Sequence, residues 1–378
     1  MKRALLVLAF LTACGAEGDE AGRSTDVEPS ILLGPSLTAP SDRAISIWWQ
    51  TSFEVRRHSV EYGTSEALGE VAQLKTQTQY PNVTLDGLLP ATTYYYRVAS
   101  ASTASEVYSF RTPRVEGPVS LVLFADNQEG ARTFGKFTVP LIEELAPDAL
   151  ISAGDLVGDG KRPEHWAEHL YEPGRVLWRT IPWFPVRGNH DGETGLAHDM
   201  MPVPNNSQWY ARTYGPLRIV VLDTNVDYVS GSPQHEWLET EMGGDAWRRA
   251  PFRVVSFHKP PFTALWLSPE YDGEAAARST LVPMFEANRA DLVISGHTHG
   301  YEHGSRARTD GGATHYLVTG GAGGELDTIR VFRWSHIQRS ISRHNIVLMT
   351  ATQKRLDFKV IDPLNEEMLD AFHISSRP

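Results

Sequence analysis

The sequence predicts two folded units in series, an all-β sandwich followed by an α/β domain, and three observations carry that prediction. Residues 31–112 consist of short segments of alternating polarity separated by Gly, Pro, Asp and Thr, the period-two signature of paired strands. Beyond residue 117, short apolar runs alternate with stretches of helical spacing, as expected when helices cover the faces of a sheet. The chain has 378 residues, enough for more than one core, and 41% apolar, 21% charged and 10% aromatic residues place it among ordinary globular proteins. With 35 basic against 46 acidic residues the formal net charge is -11, which argues against a chain that mainly neutralises a phosphate backbone. No nucleic acid is expected as a specific partner. The same acidity disfavours anionic substrates unless bound cations locally reverse the sign.

The N-terminus reads as an export signal. Met1-Lys2-Arg3 is basic, Ala4 to Leu11 is apolar, and the run is shorter than the roughly 20 residues needed to span a bilayer. Leu11-Thr12-Ala13-Cys14 resembles the bacterial lipoprotein box, which implies a signal peptide over residues 1–13 and a lipidated Cys14. Cys14 is the single cysteine, so no disulfide is expected within the chain. Residues 14–30 are small and acidic and are expected to form a flexible tether. The protein is therefore expected to be exported and held by lipid to the bacterial cell envelope.

Within the sandwich, expected over residues 31–113, the strand candidates are Ile45–Trp49, Ser59–Tyr62, Tyr94–Val98 and Val107–Phe110, with Trp48 or Trp49 as the core aromatic. The segment Leu89 to Val98 resembles the corner of fibronectin type III domains, in which a Tyr hydroxyl ties a turn to the sheet. The unit has no cluster of His or carboxylates and is expected to act as a spacer or packing domain. In the second unit, residues 117–378, helices are expected over Val139–Leu145, Pro163–Leu170, Pro233–Met242 and Ser279–Asn288.

The chemistry lies where five apolar runs stop. Val119–Ala125 ends at Asp126, Ala149–Gly154 at Asp155, Trp183–Gly188 at Asn189-His190-Asp191, Phe252–Phe257 at His258, and Leu292–Gly296 at His297-Thr298-His299. Ligands of α/β sheets bind beyond the carboxyl ends of strands, so these five ends describe one site. Gly154, Gly188 and Gly296 precede the polar groups, where backbone must turn or come close to a ligand. Oxygen and imidazole donors without thiols suit Zn, Fe or Mn ions.

This ordered set resembles that of the calcineurin-like metallophosphoesterases over residues 119 to 375. The preceding sandwich, Tyr301-Glu302 and the run Gly320-Gly321-Ala322-Gly323-Gly324 resemble the purple acid phosphatase branch. The resemblance implies a four-layer α/β/β/α domain and two divalent or mixed-valence metal ions. Asp126, Asp155 and His299 would hold the first; Asp155, Asn189, His258 and His297 would hold the second. It further implies hydrolysis of a small phosphoester, monoesters favoured, by a hydroxide shared between cations roughly 3.5–4 Å apart. His190 would steady the phosphoryl oxygens and protonate the leaving group, with Asp191 orienting its imidazole. Two departures stand out. The purple branch has a Tyr three residues after the bridging Asp, where this chain has Gly158, which implies loss of the coloured tyrosinate–iron pair. Asp126-Asn127-Gln128 offers an amide where the wider family often has Asp-x-His, leaving Gln128 as a weak ligand or a hydrogen-bonding residue.

Three other readings fit parts of the sequence. A phosphodiesterase of the same fold shares every residue named. His165-Trp166-Ala167-Glu168-His169 matches the inverted zinc-peptidase pattern H-x-x-E-H, although Pro163 and Trp166 also explain it as a covering helix. A non-catalytic surface-binding lipoprotein would use the sandwich. His303 and the loops 192–206 and 260–272, with Trp266 and Tyr271, are further candidates to line the pocket, and Asp159 is either a supporting carboxylate or a turn residue.

Overall fold

A computed structural model describes residues 28–193, 195–204, 208–330 and 333–376. The signal, Cys14 and most of the tether lie outside the described residues. Two sheets stack face to face in the second unit. The first has nine strands in the order Met368–Ser375, Arg355–Ile361, Ile346–Ala351, Val119–Phe124, Ala149–Ser152, Trp183–Pro185, Ile31–Thr38, Ile45–Thr51 and Asn82–Leu85. The second has seven: Tyr210–Tyr214, Leu217–Val221, Phe252–Ser256, Leu292–Ser295, Ala313–Thr319, Tyr301–Ala307 and Ile337–Ile341. Leu121, Leu123 and Ile151 of one sheet meet Ile219, Val254 and Ile294 of the other in a shared, fully enclosed core. Alternate side chains of the same strands point outwards. Val122, Phe124 and Leu150 pack under Ile142, Leu170 and Trp178 of one helical layer, and Val255 and Val293 under Leu238 and Leu281 of the other. Burial on both faces explains why these strands read as unbroken apolar runs.

The strands that stop at the polar groups are parallel. Val119–Phe124, Ala149–Ser152 and Trp183–Pro185 run together in the first sheet, and Phe252–Ser256 and Leu292–Ser295 in the second. All five therefore deliver their C-terminal residues to one edge of the stack.

In the sandwich, Trp49 lies in the core with Val60, Tyr96 and Phe110. Its indole donates to Ser100 Oγ at 2.9 Å, and the Tyr94 hydroxyl accepts from the Leu89 amide at 2.9 Å, the expected corner. Trp48, the next residue, points the other way and stacks on Tyr171 of the α/β unit at 4.6 Å. Of the two expected roles, spacer or packing domain, the contacts here are those of a packing domain. Ile31–Thr38 pairs in parallel with Trp183–Pro185 at Thr38 and Trp183, so one sheet runs through both units. The Tyr96 hydroxyl and Arg179 guanidinium add hydrogen bonds across the boundary, to the Arg179 and Gly34 carbonyls at 2.8 and 3.1 Å.

Helices form at Val139–Leu145, Pro233–Gly243 and Ala275–Ala287. Pro233 occupies the first turn of its helix, where a missing amide costs nothing, and the Ser232 hydroxyl accepts from the His235 amide. The Pro163 helix departs from expectation: after His165 it widens into a π-helical stretch, Trp166–Tyr171. Loop 192–206 contains a short helix, Gly195–Met200, whose Ala197 and Met200 are buried.

Candidate metal centre

Each group that the sequence singles out sits on a turn leaving a strand. Asp126, Asp155 and His297 hold φ of 60°, 53° and 68°, the left-handed region that non-glycine residues rarely occupy. Such backbone persists where surrounding structure enforces it, which is common at functional sites. Glycines make room for it. Gly154 has φ of 95°, and a Cβ at Gly188 would lie 2.2 Å from Asp155 Oδ1.

The side chains gather in two touching groups. Oδ2 of Asp155 faces His258 Nε2 at 3.0 Å, and Asp155, His258 and His297 each present a ligand atom within 4.8 Å of the others. Asp126 Oδ1 lies 3.5 Å from His299 Nε2, and Gln128 Nε2 is 3.0 Å from the same ring nitrogen. Asp126 is also held by the His297 amide, at 3.0 and 2.9 Å from its two oxygens, and Asp155 Oδ1 by the His190 amide at 2.8 Å. These bonds join the two groups.

The imidazoles are oriented as metal ligands usually are. His258 donates Nδ1–H to the Ala153 carbonyl at 2.8 Å, and His299 directs Nδ1 at the Glu325 carbonyl, so both turn Nε2 to the carboxylates. Asp327 accepts from the His299 amide at 2.8 Å. The electrostatics have the same sense. Burial alone would raise Asp155, yet the charge and hydrogen bond of His258 hold it at about 2. Burial would lower His258, and Asp155 instead pushes it up to about 9. Carboxylates and imidazoles that can be paired only by protonating the rings are what a cation would replace. The donor set, the turned rings and the buried, unpartnered Oε1 of Gln128 together fit a metal centre.

Asn189 and His190 are exposed and line, with Gln128, Asp155, His297 and His299, a cleft of 640 Å³. His190 Nδ1 meets the Gly158 carbonyl at 3.0 Å. Asp191 is a correction. Its carboxylate does not orient the His190 ring but turns inward, where Oδ1 accepts from the Leu156 and Val157 amides at 2.8 and 3.1 Å and Oδ2 from the Gly188 amide at 2.8 Å. It clamps the loop after Asp155 to the turn carrying Asn189. Burial, and next the Asp155 charge, push it up to about 7.

Other expectations resolve individually. His169 Nδ1 accepts from the Gly158 amide at 3.1 Å, and among the described residues the H-x-x-E-H trio is not a metal-competent group. Asp159 accepts from the Lys161 amide and is a turn residue. His303 lies away from the cleft, stacked 3.7 Å from Phe372. Trp266 does line the cleft, its ring 4.7 Å from His297, with Tyr271 4.4 Å behind it. Asp327, Glu325, Arg132 and Asn225 also belong to the site without a mark in the sequence; Asn225 donates to the Gly188 carbonyl at 2.8 Å. None lies in a patterned spacing from the ligands; only tertiary pairing reveals them.

A layered α/β domain with carboxylates and imidazoles gathered at its strand edge is a framework suited to metal-assisted hydrolysis, and comparison with known proteins names the class, phosphoesterase. Residues 120–301 match the calcineurin-like phosphoesterase family and residues 34–112 match the purple acid phosphatase N-terminal domain, so the chain carries a calcineurin-like phosphoesterase domain preceded by a purple acid phosphatase N-terminal domain. It is 26% identical over 315 residues to probable purple acid phosphatase 20 of Arabidopsis thaliana, covering 73% of this chain and 69% of that one. It is 26% identical over 322 residues to purple acid phosphatase 1 of Ipomoea batatas, covering 77% and 63%. The chain thus spans about two thirds of these relatives' lengths. Purple acid phosphatase PPD1 from yellow lupin seeds shares the fold, with a TM-score of 0.79 at 17% identity over 92% of this chain and 74% of that one.

Proposed function

We propose that the protein is a binuclear metal-dependent phosphoester hydrolase acting by preference on small monoesters. The observation that carries this is the convergence of four strand ends into two adjoining donor groups, Asp126 with His299 and Asp155 with His258 and His297, with Asn189 at the fifth end lining the same small-molecule-sized cleft. Asp126, Asp155 and His299, with Gln128 as a weak neighbour, would hold one ion; Asp155, Asn189, His258 and His297 would hold the other. Fe, Zn and Mn all suit this nitrogen and oxygen set. When bound, such ions neutralise phosphoryl charge and bring deprotonation of water towards neutral pH.

The chain's own groups do the rest. His190, its Nδ1–H donated to the Gly158 carbonyl, presents Nε2 to the cleft. In its protonated form that nitrogen can hydrogen-bond a phosphoryl oxygen and then pass its proton to the departing alkoxide. Asp191 keeps the two loops in register. Preference for monoesters over diesters follows the likeness to purple acid phosphatases.

Metal analysis, combined with turnover of a mono- and a diester of nitrophenol, tests the reading. Wild type should carry two ions and favour the monoester, while Asn189→Ala should lose one ion and most turnover. Full turnover in that variant would contradict the assignment. We also propose export and attachment through a lipidated Cys14. Among the described residues no helix is long and apolar enough to cross a membrane. Detergent-dependent extraction that Cys14→Ala abolishes would support attachment; unaltered extraction would contradict it.

A further inference from the structure

We propose that Arg132 binds a second anionic group on the leaving-group side of the substrate, so that the cleft selects phosphomonoesters whose leaving group carries its own carboxylate or phosphate. This rests on the hydrolase reading above and adds a specificity residue to it.

Among the described residues that line the cleft, Arg132 is the one side chain of permanent positive charge, set against Glu129, Asp155, Glu325 and Asp327. It is exposed, and among the described residues its guanidinium has no ion pair or hydrogen bond. Most other arginines of the domain are engaged, among them Arg162 with Glu164 at 2.7 Å, Arg278 and Arg333 with Asp272 at 3.1 Å each, and buried Arg187 near Asp223 at 3.8 Å, while Arg175 and Arg330 lie outside the cleft lining. An unpaired cation is the group an incoming anion would meet. The acids of the cleft are partly accounted for: Asp155 belongs to the donor cluster, and Asp327 accepts from the His299 amide.

Its backbone is also fixed in place. The preceding Gly130 is pressed against Gly323, where a Cβ would lie 2.0 Å from the carbonyl oxygen, and Asn127 bonds the Leu156 and His169 carbonyls at 3.0 and 3.1 Å. Two residues beyond, Phe134 is fully buried, 5.7 Å from Phe124 and 6.4 Å from Trp178. Only the guanidinium is free to move, and its planar fork matches a carboxylate or phosphate with two parallel hydrogen bonds. Trp266 beside His297 and the exposed Leu267 give the same cleft an apolar wall for the body of the leaving group.

The test compares 4-nitrophenyl phosphate with 4-carboxyphenyl phosphate on the metal-loaded full chain, in wild type, Arg132→Ala and Arg132→Lys. The ratio of kcat/KM for the carboxylated over the nitro ester should fall about tenfold or more in Arg132→Ala, the loss expected for a charge-assisted hydrogen bond, and less in Arg132→Lys. The thermal midpoint should not move. A ratio unchanged within about twofold, in variants that still turn over the nitro ester, overturns the role of Arg132 and leaves the hydrolase reading standing. A metal-loaded wild type inert to both esters overturns the hydrolase reading, and this inference with it.

Discussion

His190 and Asp191 are adjacent in sequence and face opposite directions, one towards the cleft and one into three backbone amides. Their substitutions should therefore separate chemistry from architecture. His190→Ala should lower kcat by about 10²–10⁴, the usual contribution of a positioned proton donor, with metal content and thermal midpoint close to wild type. Asp191→Ala should instead lower stability by about 1–3 kcal/mol for each amide left unsatisfied, visible as a lower thermal midpoint before any assay is run. A variant of Asp191 as stable as wild type would contradict the clamp. Gly188→Ala should be harsher, because a methyl group would overlap Asp155 Oδ1; poor soluble yield is expected, and an intact metal-loaded variant would count against the packing described.

At the scale of elements, the strands Tyr301–Ala307 and Ala313–Thr319 carry His303 and His315, with Nε2 of one 3.2 Å from Nδ1 of the other and Phe372 stacked on the first. Burial, before the effect of each neighbouring charge, lowers both to about 4. Their neutral forms are preferred in the folded chain, so the stability they contribute is present above the ordinary histidine value of about 6.5 and is lost as pH falls through about 4. Thermal midpoints should therefore drop between pH 7 and 4, and His315→Gln should flatten that drop. An identical pH profile would contradict it.

The same elements show what was legible in the sequence. The five strand ends could be read because burial on both faces leaves an unbroken apolar run that stops where the chain reaches the edge. The inward turn of Asp191 could not, since a carboxylate beside a histidine gives no sign of whether it faces that ring or the backbone of another loop. Asp327 and Asn225 were silent for a related reason: each acts on a loop distant in sequence. The helix Gly195–Met200 hid in a stretch whose glycines and prolines read as loop.

For the whole molecule, the continuous nine-stranded sheet makes the sandwich part of the structural frame of the catalytic unit. Removing residues 28–112 would expose the edge of Trp183–Pro185 and the surface of Tyr171 covered by Trp48. An unpaired apolar edge invites aggregation, so the truncated chain should be insoluble or lose metal. A soluble truncation with full activity would restore the spacer reading. The fused sheet leaves no mark in the sequence because strand order is a property of tertiary pairing, whereas alternation reports only which residues face a core.

In the proposed function, Asp126 and His299 on one side, and Asn189, His258 and His297 on the other, would hold neighbouring ions, with Asp155 serving both. Anomalous diffraction from crystals equilibrated with Mn²⁺ or Zn²⁺ tests it most directly. Two peaks flanking the Asp155 carboxylate, one against His299 and the other against His258 and His297, are the predicted result; a single peak, or none among these residues, would contradict it.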